Sequence, residues 1–278
     1  MDGILIINKD KGMTSHDVVA RLRRILHEKK IGHSGTLDPQ ASGVLLVMVG
    51  KACKLLPFLS DTDKEYESQL RLGIKTISDD IWGEVIEEKE IRPISDFAKI
   101  CSSFLGEIEQ VPPMISSIKI NGKKLYEYAR AHQSVEIPPR KVKIYDIRIL
   151  DETNLRFRVA CSSGTYVRAL CRDMAALSDN LGCMSELIRT KVGRFSIADS
   201  HTLKEVEDGN YQLLPFDALL DHIPIVSYQK LEDIYNGKSV HIPNCSEKGR
   251  IRIQDQKRTI AIYQYSHGDV YRCVRGIW

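Results

Sequence analysis

Apolar and polar positions change period several times along the chain, and each change marks an element. ILIIN (residues 4–8) is a short unbroken apolar run that predicts a strand. Thr14 or Ser15 then caps a helix to about residue 28, whose apolar stripe is Val18, Val19, Leu22, Ile25 and Leu26. Arg21, Arg23, Arg24 and Lys29 lie off that stripe or at its end, free to meet a polyanion. VLLVMV (44–49) is apolar throughout but far too short to span a bilayer. YESQLRLG (66–73) alternates strictly, with Tyr66, Ser68, Leu70 and Leu72 on one face and Glu67, Gln69 and Arg71 on the other, so it predicts a strand. LRFRVAC (155–161) alternates in the same way. SSGTYV then turns the chain into a helix carrying Val167, Leu170, Cys171, Met174 and Leu177, ending near Gly182.

Strands dispersed among helices without a regular repeat predict an α+β sheet rather than a parallel doubly wound one. The pattern weakens over residues 200–224, through EDGN (207–210), Pro215 and Pro224. Beyond it RIRIQ (250–254), TIAIYQY (259–265) and DVYRCV (269–274) predict a small all-β module. A first domain over 1–221 and a second over 222–278 suit a chain of 278 residues.

Forty Lys plus Arg against 37 Asp plus Glu leave a formal charge of +3, which permits a nucleic-acid partner without demanding one. RLRRILHEKK (21–30), KINGKK (119–124) and PRKVK (139–143) concentrate the positive charge, as solvated faces do and as phosphate-binding patches do. MDGILIINKDKG at the start lacks the apolar core of a signal peptide, so the expected location is the cytoplasm, with no membrane segment. Seven cysteines with no C-x-x-C pair argue against a zinc site or a disulfide framework.

The candidate chemistry lies in GHSGTLDPQASGVLLVMVGKACKL (32–55). Gly50 and Lys51 do not make a phosphate loop, because that pattern needs glycine at 45 and a hydroxyl at 52, where Leu45 and Ala52 stand. Asp38 before Pro39 is an ordinary turn starter. Its neighbours His33, Ser34, Thr36 and Ser42, with Gly32, Gly35, Gly43 and Gly50, let backbone approach a ligand and so also suit an acid presented to one. Arg168 falls in the first turn of its predicted helix, where the macrodipole disfavours a cation. An anionic partner would explain it, Asp38 or a phosphate, and so would simple exposure. Tyr66 and His33 by themselves read as a core aromatic and a structural histidine.

The same stretch resembles the catalytic motif of the TruB family of tRNA pseudouridine synthases. NKDKGMTSHDVV (8–19), KEYESQLRLG (64–73), QVPPMISSIKINGKKLYEYAR (110–130), CSSGTYVRALCRDM (161–174) and ELIRTKVGRF (186–195) match that family in order, over about residues 3–200. The resemblance implies conversion of the uridine at position 55 in the tRNA T loop to pseudouridine, without cofactor or metal. It implies the pseudouridine synthase fold: a mixed, mostly antiparallel sheet with flanking helices, then a small all-β domain similar to the PUA fold. Carried over by motif, Asp38 is the nucleophile, Tyr66 stacks on the base with a late proton transfer as a second role, and Arg168 pairs with Asp38. His33 fills the space left by the extruded base, Lys9 supports the cleft, and Tyr166 and Leu187 complete the substrate-binding set. Residues 112–140 or so are the insertion that closes over the RNA. The implied partner is the T-loop stem-loop of tRNA, bound by a monomer without an obligate protein partner.

Asn8-Lys9-Asp10, Thr76-Ile77-Ser78-Asp79-Asp80 and Pro113-Met114-Ile115-Ser116-Ser117 depart from the usual family pattern without touching Asp38, Tyr66 or Arg168. Two alternatives stand beside this expectation: an RNA chaperone in which catalysis is secondary, and a relative acting on another RNA, as guide-dependent synthases do.

Overall fold

The computed structural model describes residues 1–59 and 62–278. The chain opens with β1 (Gly3–Lys9), α1 (Ser15–Ile25), β2 (Ile31–His33) and β3 (Ser42–Val49). Both faces of β3 are covered: Val44, Leu46 and Met48 enter one apolar cluster, and Leu45, Val47 and Val49 another. Double-sided burial is why VLLVMV shows no alternation. Thr14 is the cap of α1, through a reciprocal pair of bonds with Asp17, while Ser15 turns inward. The helix stops at Ile25 rather than about 28, because His27 takes a left-handed conformation (φ +51°). Two of its cations are engaged. Arg21 lies 3.5 Å from Glu207, and Arg23 donates to Ile31 O at 2.9 Å.

Next come β4 (Lys64–Leu72), the hairpin β5 (Ile74–Thr76) and β6 (Val85–Glu88), α2 (Phe97–Ser102) and β7 (Gly106–Gln110). The insertion holds a small hairpin, β8 (Lys119–Ile120) and β9 (Lys123–Lys124), and α3 (Leu125–Arg130). β10 (Arg140–Asp151), β11 (Arg156–Cys161), α4 (Val167–Leu177), β12 (Gly182–Val192), β13 (Phe195–Ser196) and α5 (Leu203–Glu207) complete the first body. On β4 the face carrying Tyr66, Ser68, Leu70 and Leu72 is buried. α4 ends five residues before Gly182, since Asp179 is left-handed and the Asn180 N–H closes the last turn on Ala175 O at 3.0 Å. Leu177 is therefore exposed, not part of the stripe.

The main sheet runs β1-β3-β12-β4-β11-β10-β7, with β2 and β13 at its side. Every pairing is antiparallel except β3 with β12. At that parallel contact Gly43 (φ +105°) lies so close to Arg189 that an added Cβ would sit 2.2 Å from its carbonyl oxygen. Only glycine permits β12 to enter beside the Asp38 loop.

After α6 (Leu231–Tyr235), the C-terminal part is a four-stranded sheet, β14 (Val240–His241), β17 (Val270–Gly276), β16 (Arg258–His267) and β15 (Arg250–Asp255). Its own core surrounds Ile251, Ile253, Tyr263 and Tyr271. Ile262 and Ile277 instead join Phe216, Leu220 and the β1–β3 cluster. Asp217 reinforces that joint, accepting from the Thr259 N–H at 3.1 Å, Gln254 at 3.3 Å and the Thr259 hydroxyl. The two bodies are thus fused through one apolar seam. Among the described residues, no helix is long and apolar enough to cross a membrane.

Candidate active site

Asp38 sits on the loop between β2 and β3, in a turn closed by Ala41 N–H to Asp38 O at 3.0 Å, with Pro39 setting the backbone angle. Three elements pin this loop. Ser15, buried at the start of α1, donates its hydroxyl to Leu37 O (3.1 Å) and accepts the Leu37 N–H (2.9 Å). Gly12 N–H reaches Pro39 O at 2.9 Å. Arg189 of β12, fully buried, donates to Val44 O at 2.7 Å, Thr36 O at 3.3 Å and Gly35 O at 3.4 Å. A loop so tethered keeps its acid in one place.

Arg168 is the second residue of α4, and the structure resolves why a cation stands there. Its Nε lies 3.0 Å from Asp38 Oδ2 and its Nη1 3.5 Å from Asp80 Oδ2. It also donates to Ser78 O (2.8 Å) and Ile115 O (3.1 Å). The side chain is 7% exposed, so two carboxylates offset a buried charge that the helix terminus disfavours. Asp38 is more open, at 36%, and among the described residues its Oδ1 accepts no hydrogen bond. Burial raises the Asp80 carboxyl above the ordinary range, against the pull of the Ser78 hydroxyl and Arg168.

Asp38, Tyr66, Tyr166, Arg168 and Leu187 line one cleft of about 430 Å³ counted to its open mouth, with Thr36, Leu37, Thr165 and Val167. Tyr66 on β4 stands opposite Arg189 on β12, and Leu187 opposite Ser68, so the register brings ring and leucine to the same wall. Burial pushes the Tyr66 phenol up, and the Arg189 guanidinium beside it partly offsets this. A neutral phenol results. Tyr166 is fixed by its backbone, exchanging two bonds with the Gln110 amide at 2.8 and 3.1 Å.

Lys9 and His33 do not form part of that wall. Lys9 is fully buried beneath the loop, its ammonium held by Asp10 O, Met13 O and Pro39 O at 2.8, 2.9 and 3.1 Å. It braces the turn that follows Asp38. His33 ends β2 half-buried, and burial lowers its pKa, leaving the ring neutral near pH 7.

Burial lowers the Lys9 ammonium from 10.5 to about 8, against the favourable field of Asp38. Between those values the unfolded chain holds a proton that the folded chain has lost, so stability carried through Lys9 rises with pH across the window. Lys9→Met is expected to destabilise the fold by about 2 kcal/mol more at about pH 9.5 than at about pH 7, measured by urea unfolding. Equal costs at both values would place the titration elsewhere.

Sequence reasoning missed Asp80, Ser15 and Arg189. Two adjacent acids after the tyrosine strand were the available signal for Asp80. For Arg189 the signal was an arginine at the position, two after Leu187, where an alternating strand calls for an apolar residue. Among the described residues, no group of His, Cys, Asp and Glu could hold a metal.

Comparison with known proteins bears on this geometry. The family model described as TruB family pseudouridylate synthase (N terminal domain) matches residues 23–167, and that described as tRNA pseudouridylate synthase B C-terminal domain matches 168–223. A protein of Geobacillus thermodenitrificans named tRNA pseudouridine synthase B is 45% identical over 87% of this chain and 87% of its own. One of the same name from Trichormus variabilis is 38% identical over 94% of this chain and 92% of its own. Among solved structures, a Cbf5-Nop10-Gar1 complex contains a chain that superposes with a TM-score of 0.75 at 24% identity, over 99% of this chain and 85% of that one. An H/ACA RNP bound to a substrate RNA containing 2'-deoxyuridine gives 0.73 at 23%, over 99% and 85%. These two establish a common fold.

Proposed function

The chain belongs to the TruB family of pseudouridylate synthases, and we propose that it isomerises uridine 55 in the T loop of tRNA to pseudouridine with Asp38 as nucleophile. The observation that carries the assignment of Asp38 is its ion pair with Arg168 on the wall of a cleft that Tyr66, Tyr166 and Leu187 also line.

The reaction breaks the bond from N1 to the sugar, turns the uracil, forms a bond from C5 to the sugar, and releases the C5 hydrogen as a proton while N1 takes one up, so the product is an isomer. The base must first leave its stack, at a few kcal/mol, and stacking on an aromatic ring returns about 1–3 kcal/mol. Tyr66 supplies that ring. As a buried neutral phenol it acts by contact first, and a late proton transfer is its second role. Arg168 pairs with Asp38 Oδ2, which orients the carboxylate while Oδ1 is left for the reacting centre. Lys9, Ser15 and Arg189 hold the loop through its backbone, and His33 at its edge fills the space the base vacates.

Residues 1–221 serve as the catalytic domain, with 112–140 closing over the RNA. Lys123 lies 4.8 Å from the Tyr128 ring, and Lys124 and Arg130 lie 5.3 and 5.5 Å from Tyr126, a mixture of cations and rings that suits single-stranded RNA. Residues 222–278 grip the acceptor side of the tRNA. There Arg250, Gln264 and Arg272 pair in one row across β15, β16 and β17. Because this module shares an apolar seam with the first body, charge reversal tests it better than deletion. Arg250→Glu with Arg272→Glu is expected to weaken tRNA binding about 10-fold or more at low salt, read by filter binding, with a small fall in melting from the lost contact of Arg250 with the Phe58 ring at 5.1 Å. Unchanged affinity would remove the module from the tRNA path. The enzyme works as a cytoplasmic monomer without an obligate protein partner.

The test of the function is tritium release from a tRNA transcript labelled at uridine C5. Release by the wild type places the chain among pseudouridine synthases in its chemistry, and absence of release favours the chaperone alternative.

A further inference from the structure

Arg168 and Arg172 stand one turn apart on α4, and both span the same two segments of chain. Arg168 takes Ser78 O and Asp80 on one side and Ile115 O on the other. Arg172 takes Asp79 Oδ2 (2.7 Å) on one side and Val111 O (2.9 Å) on the other, with its Nε on Asp173 (2.9 Å). The pattern is a ladder of two rungs. The upper rung also carries Asp38, and the lower carries no group of the reaction.

The two sides of the ladder differ in freedom. The 78–80 turn is pinned to β12, with Met184 N–H to Asp79 O at 3.0 Å and Ile81 N–H to Met184 O at 2.8 Å. Asp79 holds a left-handed backbone there (φ +59°), which a non-glycine residue keeps only where its surroundings enforce it. The other side, Val111–Ile115, is the root by which the insertion leaves β7. It is fastened to α4 twice, Val111 at Arg172 and Ile115 at Arg168, just after Gln110 at the end of β7 binds Tyr166, the residue before the helix. Pro112 and Pro113 lie between the last two fastenings, and their fixed φ makes that stretch a semi-rigid spacer. A shift at Val111 is therefore passed to Ile115 rather than absorbed.

Resting on the assignment of Asp38 and Arg168 as the reacting pair, we infer that Arg172 is a positioning residue for the reaction. With Asp79 it sets the root of the insertion, so that the Ile115 carbonyl meets Arg168 and Arg168 stays aimed at Asp38. Closure of the insertion over RNA then reaches the catalytic pair through this root. Arg172 is 25% exposed and Asp79 10%, so the pair is sheltered enough to hold one geometry.

Arg172→Ala is expected to lower the single-turnover rate about 10- to 100-fold, the loss that a misplacement of about 1 Å produces. The tRNA dissociation constant should change less than about threefold, since the Arg172 guanidinium is taken up by Asp79, Asp173 and Val111 within the protein. Hydrogen exchange over residues 112–140 of the free enzyme should quicken while β12 keeps its protection. Arg172→Lys, which keeps a charge for Asp79 but not the fork for both partners, should recover part of the rate. Arg172→Ala with Asp79→Asn should be no slower than Arg172→Ala alone. An unchanged rate with unchanged exchange would overturn the inference, as would a loss confined to affinity or one matched by loss of protection throughout the fold. Exchange is read without substrate, so a wild type that releases no tritium would sink the assigned reaction and leave this linkage separately tested.

Discussion

Tritium release from uridine-labelled tRNA is expected to fall at least about 10⁴-fold when Asp38 is replaced by Asn. Asn keeps the shape of the side chain and a neutral oxygen for Arg168, but it cannot act as a nucleophile or accept a proton as a carboxylate does. The loop should be undisturbed, because Ser15, Gly12, Lys9 and Arg189 all grip it through backbone atoms and none through the Asp38 side chain. Affinity for tRNA should accordingly stay within about threefold of wild type. Rescue of tRNA folding by Asp38→Asn would then separate a chaperone activity from the isomerisation. Equal tritium release by variant and wild type would mean that another residue attacks.

Arg168→Ala is expected to cost both rate and stability. A preorganised cation beside a reacting carboxylate is worth about 10²–10³-fold in rate. Removing it also leaves Asp38 and Asp80 facing each other without the guanidinium, and orphans the carbonyls of Ser78 and Ile115. Breaking a buried pair by deleting one member costs roughly 3–5 kcal/mol. The partial hydration of Asp38 argues for the lower end, about 3 kcal/mol. Arg168→Lys should fall between, since a point charge reaches Asp38 but not all four partners. Single-turnover kinetics and urea unfolding measure the two effects, and a rate within tenfold of wild type would remove Arg168 from the catalytic pair.

Periodicity made much of the fold legible. Tyr66, Ser68, Leu70 and Leu72 share the buried face that alternation assigned them, and the three C-terminal strands fall where RIRIQ, TIAIYQY and DVYRCV stand. The central strand β12 escaped because its buried face carries Arg189, so SELIRTKV lacks a clean alternation of apolar and polar positions. Helix ends escaped for a different reason. They are set by single left-handed residues, His27 and Asp179, which hydrophobic spacing does not reveal.

By itself the sequence determined the local chemistry: an acid in a glycine-flanked turn before an unbroken apolar run, a tyrosine on the apolar face of a strand, an arginine at the wrong end of a helix, and ordered blocks shared with one enzyme family. Only the tertiary structure decided which of these meet. Asp38 finds Arg168 because α4 and the β2–β3 loop are carried to one rim of the sheet, Tyr66 faces Arg189 because β4 and β12 pair in that register, and Asp80 joins because its turn is bonded to Met184. The physical reason is that spacing along a chain reports which side of its own element a residue occupies, whereas an ion pair between distant elements depends on strand register and packing angle, which no single segment encodes.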